Sequence, residues 1–197
     1  MSTWLDRRWP LPKAFIEEIQ DARLPKGWME CSYCHWPQSE DSWQATHGVC
    51  VQCDHHMRMG VSARIDYLSE GNEIDELLAP DVLIDPLHFR DRKTYLERLA
   101  HAQQHEPGKK EALRVVATQI RDVAVCLAVF DFSFIGGSMG CAVGERFVQA
   151  VNWAIKKKAP LVLVTASGGA RMQEGALALM QMAKVSMAVQ RLNQHGI

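Results

Sequence analysis

Cys31 and Cys34 form one Cys-x2-Cys pair and Cys50 and Cys53 a second, with fifteen residues between the pairs. Thiolates two residues apart can reach one metal ion from a single tight knuckle. Two knuckles complete a tetrahedron, the closed geometry of structural zinc. The competing chemistry is a pair of disulfides, which needs an oxidising compartment. Met1 to Pro12 carries Asp6, Arg7 and Arg8 and no apolar run of export-signal length, so a cytoplasmic location and zinc are expected. His47, His55 and His56 lie close enough to compete as ligands. The complete thiolate set leaves them to the surface or to supporting contacts. Cys126 and Cys141 sit among apolar and small residues and read as core packing rather than chemistry.

Two adjacent-glycine pairs, Gly136-Gly137 and Gly168-Gly169, are the other chemical signal. Glycine admits positive φ and lets a ligand approach the backbone closely. Successive N–H groups can then converge near a helix start, which suits a phosphate, a carboxylate or a thioester enolate oxygen. Ser138 and Ser167 follow or precede these glycines, but no histidine is placed by sequence to serve as their base. No side chain is therefore assigned as acid, base or nucleophile. Neither loop is a Gly-x4-Gly-Lys-[Ser/Thr] phosphate loop, and 136–140 lacks the full dinucleotide fingerprint. Tight strand–helix packing is the plainer explanation of either pair alone; two in register favour binding.

These motifs need elements to hold them. The segment 28–59 contains Trp28, Trp36 and Trp43 among turn formers and reads as a small metal-dependent module. Residues 60–110 read as helical and linking. Ser62–Leu68 is a short amphipathic stretch, Pro80 and Pro86 break the middle, and Asp91–Gln104 places Tyr95, Leu96 and Leu99 on one side. Residues 106–110 read as an exposed turn. Val115–Ile120 and Val123–Phe132 read as strands joined by a turn at Arg121-Asp122. A helix follows from Cys141 to about Lys158, with Glu145, Gln149, Asn152 and Lys156 along its polar face. Lys156–Lys158 complement its negative end and Pro160 stops it. Leu161–Val164 reads as a short buried strand. A long helix is expected from near Arg171, apolar on most sides and so buried in a large core or against another subunit, with its methionines and leucines turned inward, and Gly196 as its C-terminal cap. Strand, Gly-Gly loop and helix, twice over, is an α/β pattern whose core asks for more turns. The sequence is therefore expected to be cut short.

Composition limits the alternatives. The chain has 197 residues, enough for one substantial domain and a small module. Its 22 basic residues nearly balance its 23 acidic ones, for a net charge of −1, so a globally basic surface for nucleic acid is absent. No apolar run reaches the length of a membrane span.

With these residues in view, the chain resembles a known family. Cys31-x2-Cys34 and Cys50-x2-Cys53, continuing through 54–59, are similar to the zinc ribbon of the bacterial and plastid acetyl-CoA carboxylase carboxyltransferase β subunits. The likeness continues through Phe89-Arg90-Asp91 and 132–140. It is strongest in 166–174 and 179–184, and it covers roughly residues 28–197. The resemblance implies an α/β fold with a small four-cysteine zinc ribbon followed by the N-terminal part of a crotonase-like (ClpP/crotonase) domain. The corresponding segments are 1–27, an N-terminal extension; 28–59, the ribbon; and 60–197, a partial carboxyltransferase domain. It implies transfer of a carboxyl group from carboxybiotin, on a separate carrier protein, to acetyl-CoA, giving malonyl-CoA for fatty acid synthesis. It further implies an α2β2 assembly with a carboxyltransferase α subunit, working beside a biotin carboxylase and the biotin carboxyl carrier protein. Cys31, Cys34, Cys50 and Cys53 would hold zinc, and Gly136, Gly137, Gly168 and Gly169 would line the acyl-CoA side of the site. The family carries a further Gly-Gly-Val segment after the next strand, which this sequence lacks. A truncated chain of this kind is expected to be inactive alone.

Two other classes remain in view. Trp43, His55, His56 and Arg58 give the ribbon the residues to bind RNA, and the carboxyltransferase family is itself linked to binding its own message. A non-catalytic scaffold that keeps the subunit interface is the third.

Overall fold

The computed structural model of the chain describes residues 24–77, 82–104 and 111–197. The chain divides into two compact units, the first ending at Met59 and the second beginning at Gly60. In the first, β1 (Trp28–Glu30) and β2 (Pro37–Ser39) form an antiparallel hairpin with Trp28 opposite Ser39 and Glu30 opposite Pro37. A short helix, α1 (Glu40–Ala45), follows at once. Ser39 caps it by accepting from the Ser42 N–H at 3.3 Å, and Glu40 and Asp41 favour its positive end. Trp43 turns inward and packs with Cys31 and Cys50, edged by Trp36, Met57 and the other two cysteines. That is a very small core, so cross-linking at the cysteines decides whether it holds.

The second unit is built on a four-stranded sheet in the order β3-β4-β5-β6. Its strands are β3 (Asp75–Glu76), β4 (Leu113–Ile120), β5 (Val123–Phe130) and β6 (Leu161–Val164). Its helices are α2 (Val61–Ser69), α3 (Tyr95–Gln104), α4 (Cys141–Lys157) and α5 (Gly175–Gln194). β4 and β5 are a long hairpin, Leu113 opposite Phe130 and Ile120 opposite Val123. Arg121 and Asp122 make its two-residue turn, both at positive φ, which matches the strand twist. β6 returns parallel to β5 after α4, as a parallel pair requires.

Side chains alternate across the sheet with period two. Leu113, Val115, Cys126 and Ala128 meet Phe147, Ala150, Val151 and Ala154 of α4 and Ala188 and Leu192 of α5. On the other face Val116, Val125, Leu127 and Val129 meet Val61 and Ile65 of α2. Burial on both faces explains why β5 is nearly unbroken in apolar residues. Gly144 lets α4 and α5 approach: a Cβ there would lie 2.2 Å from Gln181 Oε1. Lys184 pairs with Glu145 across the same contact.

The structure departs from the sequence expectations at several points. β5 ends at Phe130 rather than Phe132, because the Asp131 carboxylate accepts from Ser133 N–H at 2.8 Å and Ser133 Oγ at 2.6 Å and turns the chain. β6 is half-exposed rather than buried. Leu96 points outward while Tyr95 is buried. The last helix begins at Gly175, not Arg171; Gly175 adopts φ 53° and ψ −132°, and one 3-10 turn (Met172–Glu174) precedes it. Met172, Leu179, Met180, Met182 and Met187 are outward-facing within the chain, more than half exposed, rather than turned inward. β3 is an addition; Asp75-Glu76 is too short and polar to read as a strand, yet it pairs with Ala117 and Val116. Gly196 does take the left-handed conformation beyond α5, at φ 71°. Pro80 and the 106–110 turn fall outside the described residues. No described helix is long and apolar enough to cross a membrane.

Candidate functional site

The first unit gathers its four cysteines through two matching knuckles. Cys31 N–H donates to Trp36 O at 3.0 Å and His35 N–H to Cys31 O at 3.0 Å. In the second knuckle Cys50 N–H donates to His55 O at 2.9 Å and Asp54 N–H to Cys50 O at 3.0 Å. His35 and Asp54, the residues after each second cysteine, both take positive φ to close the turn. All four Sγ atoms lie within 4.8 Å of one another. Cys31–Cys53 and Cys34–Cys50 are 3.7 and 3.6 Å apart. A disulfide needs about 2.05 Å. An ion held by four thiolates at about 2.3 Å sets its sulfurs about 3.8 Å apart, so the donor set fits a tetrahedral metal. Among the described residues no histidine belongs to this group. His55 instead meets Ser32 Oγ at 3.1 Å and stacks on Tyr33 with ring centroids 5.4 Å apart.

In the second unit the two glycine pairs come together. Beyond β5, Ile135–Gly137 form a single tight turn with φ of 46°, 65° and 64° in succession. A β-branched residue at positive φ is strained, and such strain concentrates at functional sites. Beyond β6, Gly169 takes φ 112°. The loops are tied backbone to backbone: Gly168 N–H donates to Gly136 O at 2.8 Å, Met139 N–H to Gly169 O at 2.8 Å, and Arg171 N–H to Met139 O at 2.9 Å. This is a short parallel bridge between Met139 and Ala170. In that register Ala170 directs its own N–H away from Met139. Residues 167–170 are exposed while Gly137 and Ser138 are buried beneath them.

The glycines are required to different degrees. A Cβ on Gly137 would stand 2.1 Å from Ala166 O. One on Gly168 would stand 3.2 Å from Gly136 O, pressing on the other loop. Gly136 and Gly169 have open space beside them, and their need is conformational.

Beneath the loops lies a charge cluster that the sequence did not announce. The Arg171 guanidinium has no exposure. It donates to both Glu111 carboxylate oxygens at 2.9 and 2.5 Å, to Tyr95 Oη at 2.9 Å, and to Ser138 O and Oγ at 2.8 and 3.2 Å. It also sits 5.6 Å from the centre of the Phe134 ring. Glu174 accepts from Tyr95 Oη and from Cys141 N–H, both at 2.6 Å. Burial pulls the Arg171 pKa down, but its bonds and charge attraction with Glu111 outweigh this and leave it raised. Burial pushes the Tyr95 hydroxyl up and out of the titrating range. For Glu174 burial pushes up, and the Tyr95 and Cys141 hydrogen bonds win, leaving the carboxyl low. Burial, reinforced by Glu174, pushes Cys141 up to about 11, and burial alone takes Cys126 to about 12. Neither is a poised nucleophile. An arginine at a strand-to-helix junction, with an acid three residues on, was the available signal; Glu111, sixty residues away, left none.

The site therefore offers an exposed backbone surface with Ala170 N–H directed away from the inter-loop bonds, backed by a buried charge cluster. Such a surface can hold a developing oxyanion without supplying a nucleophile. The Carboxyl transferase domain family matches residues 77–197. Among solved structures, a transcarboxylase 12S hexamer crystallised with hydrolyzed methylmalonyl-coenzyme A is similar at 20% identity, with a TM-score of 0.52, over 69% of this chain and 24% of that one. A Pseudomonas malonate decarboxylase hetero-tetramer in complex with malonate is similar at 22% identity, with a TM-score of 0.51, over 70% and 48% respectively. At these identities the likeness is one of fold. The chain spans about a quarter of the first protein's chain and about half of the second's.

Proposed function

Because the chain belongs to the carboxyl transferase domain family, we propose that it acts as the β subunit of an acetyl-CoA carboxylase carboxyltransferase. In this role it takes part in moving a carboxyl group from carboxybiotin on a carrier protein to acetyl-CoA, giving malonyl-CoA, in complex with an α subunit. The observation that carries the proposal is the pair of Gly-Gly loops bonded to each other at the ends of β5 and β6. Carboxylation at an acyl methyl passes through an enolate, whose oxygen needs fixed donors. Gly136, Gly137, Gly168 and Gly169 keep side chains away from the loop surface, so a thioester can approach the main chain. The N–H groups of Gly137 and Gly168 are engaged within the loops, so Ala170 N–H, directed away from Met139, is the candidate donor. Biotin on the carrier supplies the carboxyl group when bound. This chain's residues bind the acyl end, orient it and hold the negative oxygen.

Zinc at Cys31, Cys34, Cys50 and Cys53 would be structural, since four thiolates leave no open position for substrate. The resemblance of this ribbon to that of the β subunits is what favours acetyl-CoA carboxylase over other members of the family.

The test is transfer of label from [3-14C]malonyl-CoA to biocytin, with the α subunit present. Label should move with the pair, and the same pair carrying Gly169→Val should move at least about 100-fold less. No transfer by the unaltered pair would reject the proposal. A nucleic-acid role for the ribbon has one observation behind it, the Tyr33–His55 stack, with Tyr33 57% exposed. It predicts RNA binding that weakens steeply with salt.

A further inference from the structure

We infer that Arg171 is a positioning residue that locks the two glycine loops into register, acting from beneath the site and never touching substrate. The inference rests on the carboxyl-transfer proposal for what the loops do, but not for how they are held. Arg171 belongs to the second loop by sequence, and its own N–H bonds Met139 O at 2.9 Å. Its side chain then reaches under the first loop and takes hold of Ser138, the residue after Gly137, at the carbonyl oxygen and at Oγ. Ser138 Oγ in turn donates to Ile135 O at 2.8 Å, bracing the strained turn. One residue therefore fixes both loops at once. The guanidinium, with no exposed surface, cannot meet a ligand directly.

Arginine suits this place and lysine does not. Nε faces Ser138 Oγ; Nη1 faces Tyr95, Glu111 and, at 3.4 Å, Glu174; Nη2 faces Glu111 and Ser138 O. A planar fork of five N–H donors serves Tyr95, both Glu111 oxygens and both Ser138 oxygens, with the longer Glu174 contact sharing an Nη1 hydrogen, whereas an ammonium has three donors at one point. Glu111 also accepts from Ala112 N–H at 2.7 Å, anchoring the fork at the head of β4. Glu174 ties it to α3 through Tyr95 and to the first turn of α4 through Cys141 N–H. The loops are thus referenced to three elements of the domain through a single side chain.

The test compares Arg171→Lys with the unaltered protein in the complex with its α subunit. Lysine keeps the charge for Glu111 but cannot hold Ser138 and Tyr95 together. The expected result is a kcat lower by about 100-fold with KM for acyl-CoA within about twofold, since the donors are misplaced while the ligand's remote contacts stay. Amide hydrogen exchange should rise in 135–141 and 166–172 and stay unchanged in β4 and β5. Uniformly faster exchange across the sheet would mean a general structural role and would overturn the inference. So would a Lys variant with unaltered kcat and loop exchange. Should Arg171→Lys not fold, Ser138→Ala serves instead: it removes one anchor, and kcat should fall about tenfold with the same local exchange signature. Unaltered kcat in that variant would equally overturn it. If the unaltered complex transfers no carboxyl group, the exchange readout still judges the clamp, while the proposed reaction falls separately.

Discussion

A methyl group at Gly137 would lie 2.1 Å from Ala166 O and 3.2 Å from Ser167 Cα, with the backbone already at φ 64°. These are main-chain neighbours and cannot swing aside. Gly137→Ala must therefore push the second loop off the first and break the Gly168–Gly136 bond. It should cost about 2–4 kcal/mol in urea unfolding. Gly136→Ala faces open space and carries only the left-handed penalty, about 1 kcal/mol. Equal costs for the two would show that the loops are not packed as closely as described. The thiols give a second residue-scale expectation. With Cys141 raised to about 11 and Cys126 to about 12, both should resist iodoacetamide in the folded protein at pH 8, where the thiolate fraction is small. Rapid alkylation of Cys141 at that pH would contradict its burial with Glu174 beside it.

Among the elements, the cysteine module and the loop cluster respond to different treatments. Trp43, 5% exposed, packs on Cys31 and Cys50 in a core too small to stand without a cross-link. Metal binding in such modules contributes about 10–16 kcal/mol. A strong chelator under reducing conditions should therefore collapse the Trp43 indole resonance to its unfolded position, and zinc should restore it. Persistence of the native resonance in metal-free protein would count against a metal-held module. The loop cluster responds to acid. The Glu174 carboxyl lies below its ordinary value of 4.5, so the folded state binds its proton less readily than the unfolded chain does. Its contribution is complete above that ordinary value and is lost as pH falls through the lower folded value. Thermal unfolding should show this acid-side loss, and Glu174→Gln should flatten it.

The elements that were legible in the sequence share a physical reason. β4 and β5 declare themselves as short apolar, β-branched runs because the sheet is buried on both faces, and α4 because one buried face writes a period of 3.6 into its residues. The knuckles declare themselves because ligand spacing is local. What escaped was set by distant partners. Asp75-Glu76 becomes a strand through β4, and the start of α5 is moved to Gly175 by the buried bonds of Arg171 and Glu174. Both glycine pairs were visible, but the bonds that join them span thirty residues or more, as does every link from Arg171 to Tyr95, Glu111 and Ser138.

At the scale of the molecule, α5 leaves Leu179, Met180, Met182 and Met187 more than half exposed. An apolar face of this kind drives association in water. Sedimentation of the isolated chain should show species larger than a monomer, and Met180→Glu with Met187→Glu should reduce them without moving the thermal midpoint by more than a few degrees. A monodisperse monomer before substitution would contradict this. Carboxyl transfer as proposed requires the backbone of the two glycine loops to receive the acyl group. Amide hydrogen exchange of the complex with the proposed α subunit, with and without saturating acetyl-CoA, reads this out. Protection is expected in 135–140 and 166–171, with little change in α2 and β3. Acetyl-CoA that binds yet leaves both loops exchanging at their unliganded rates would contradict the account.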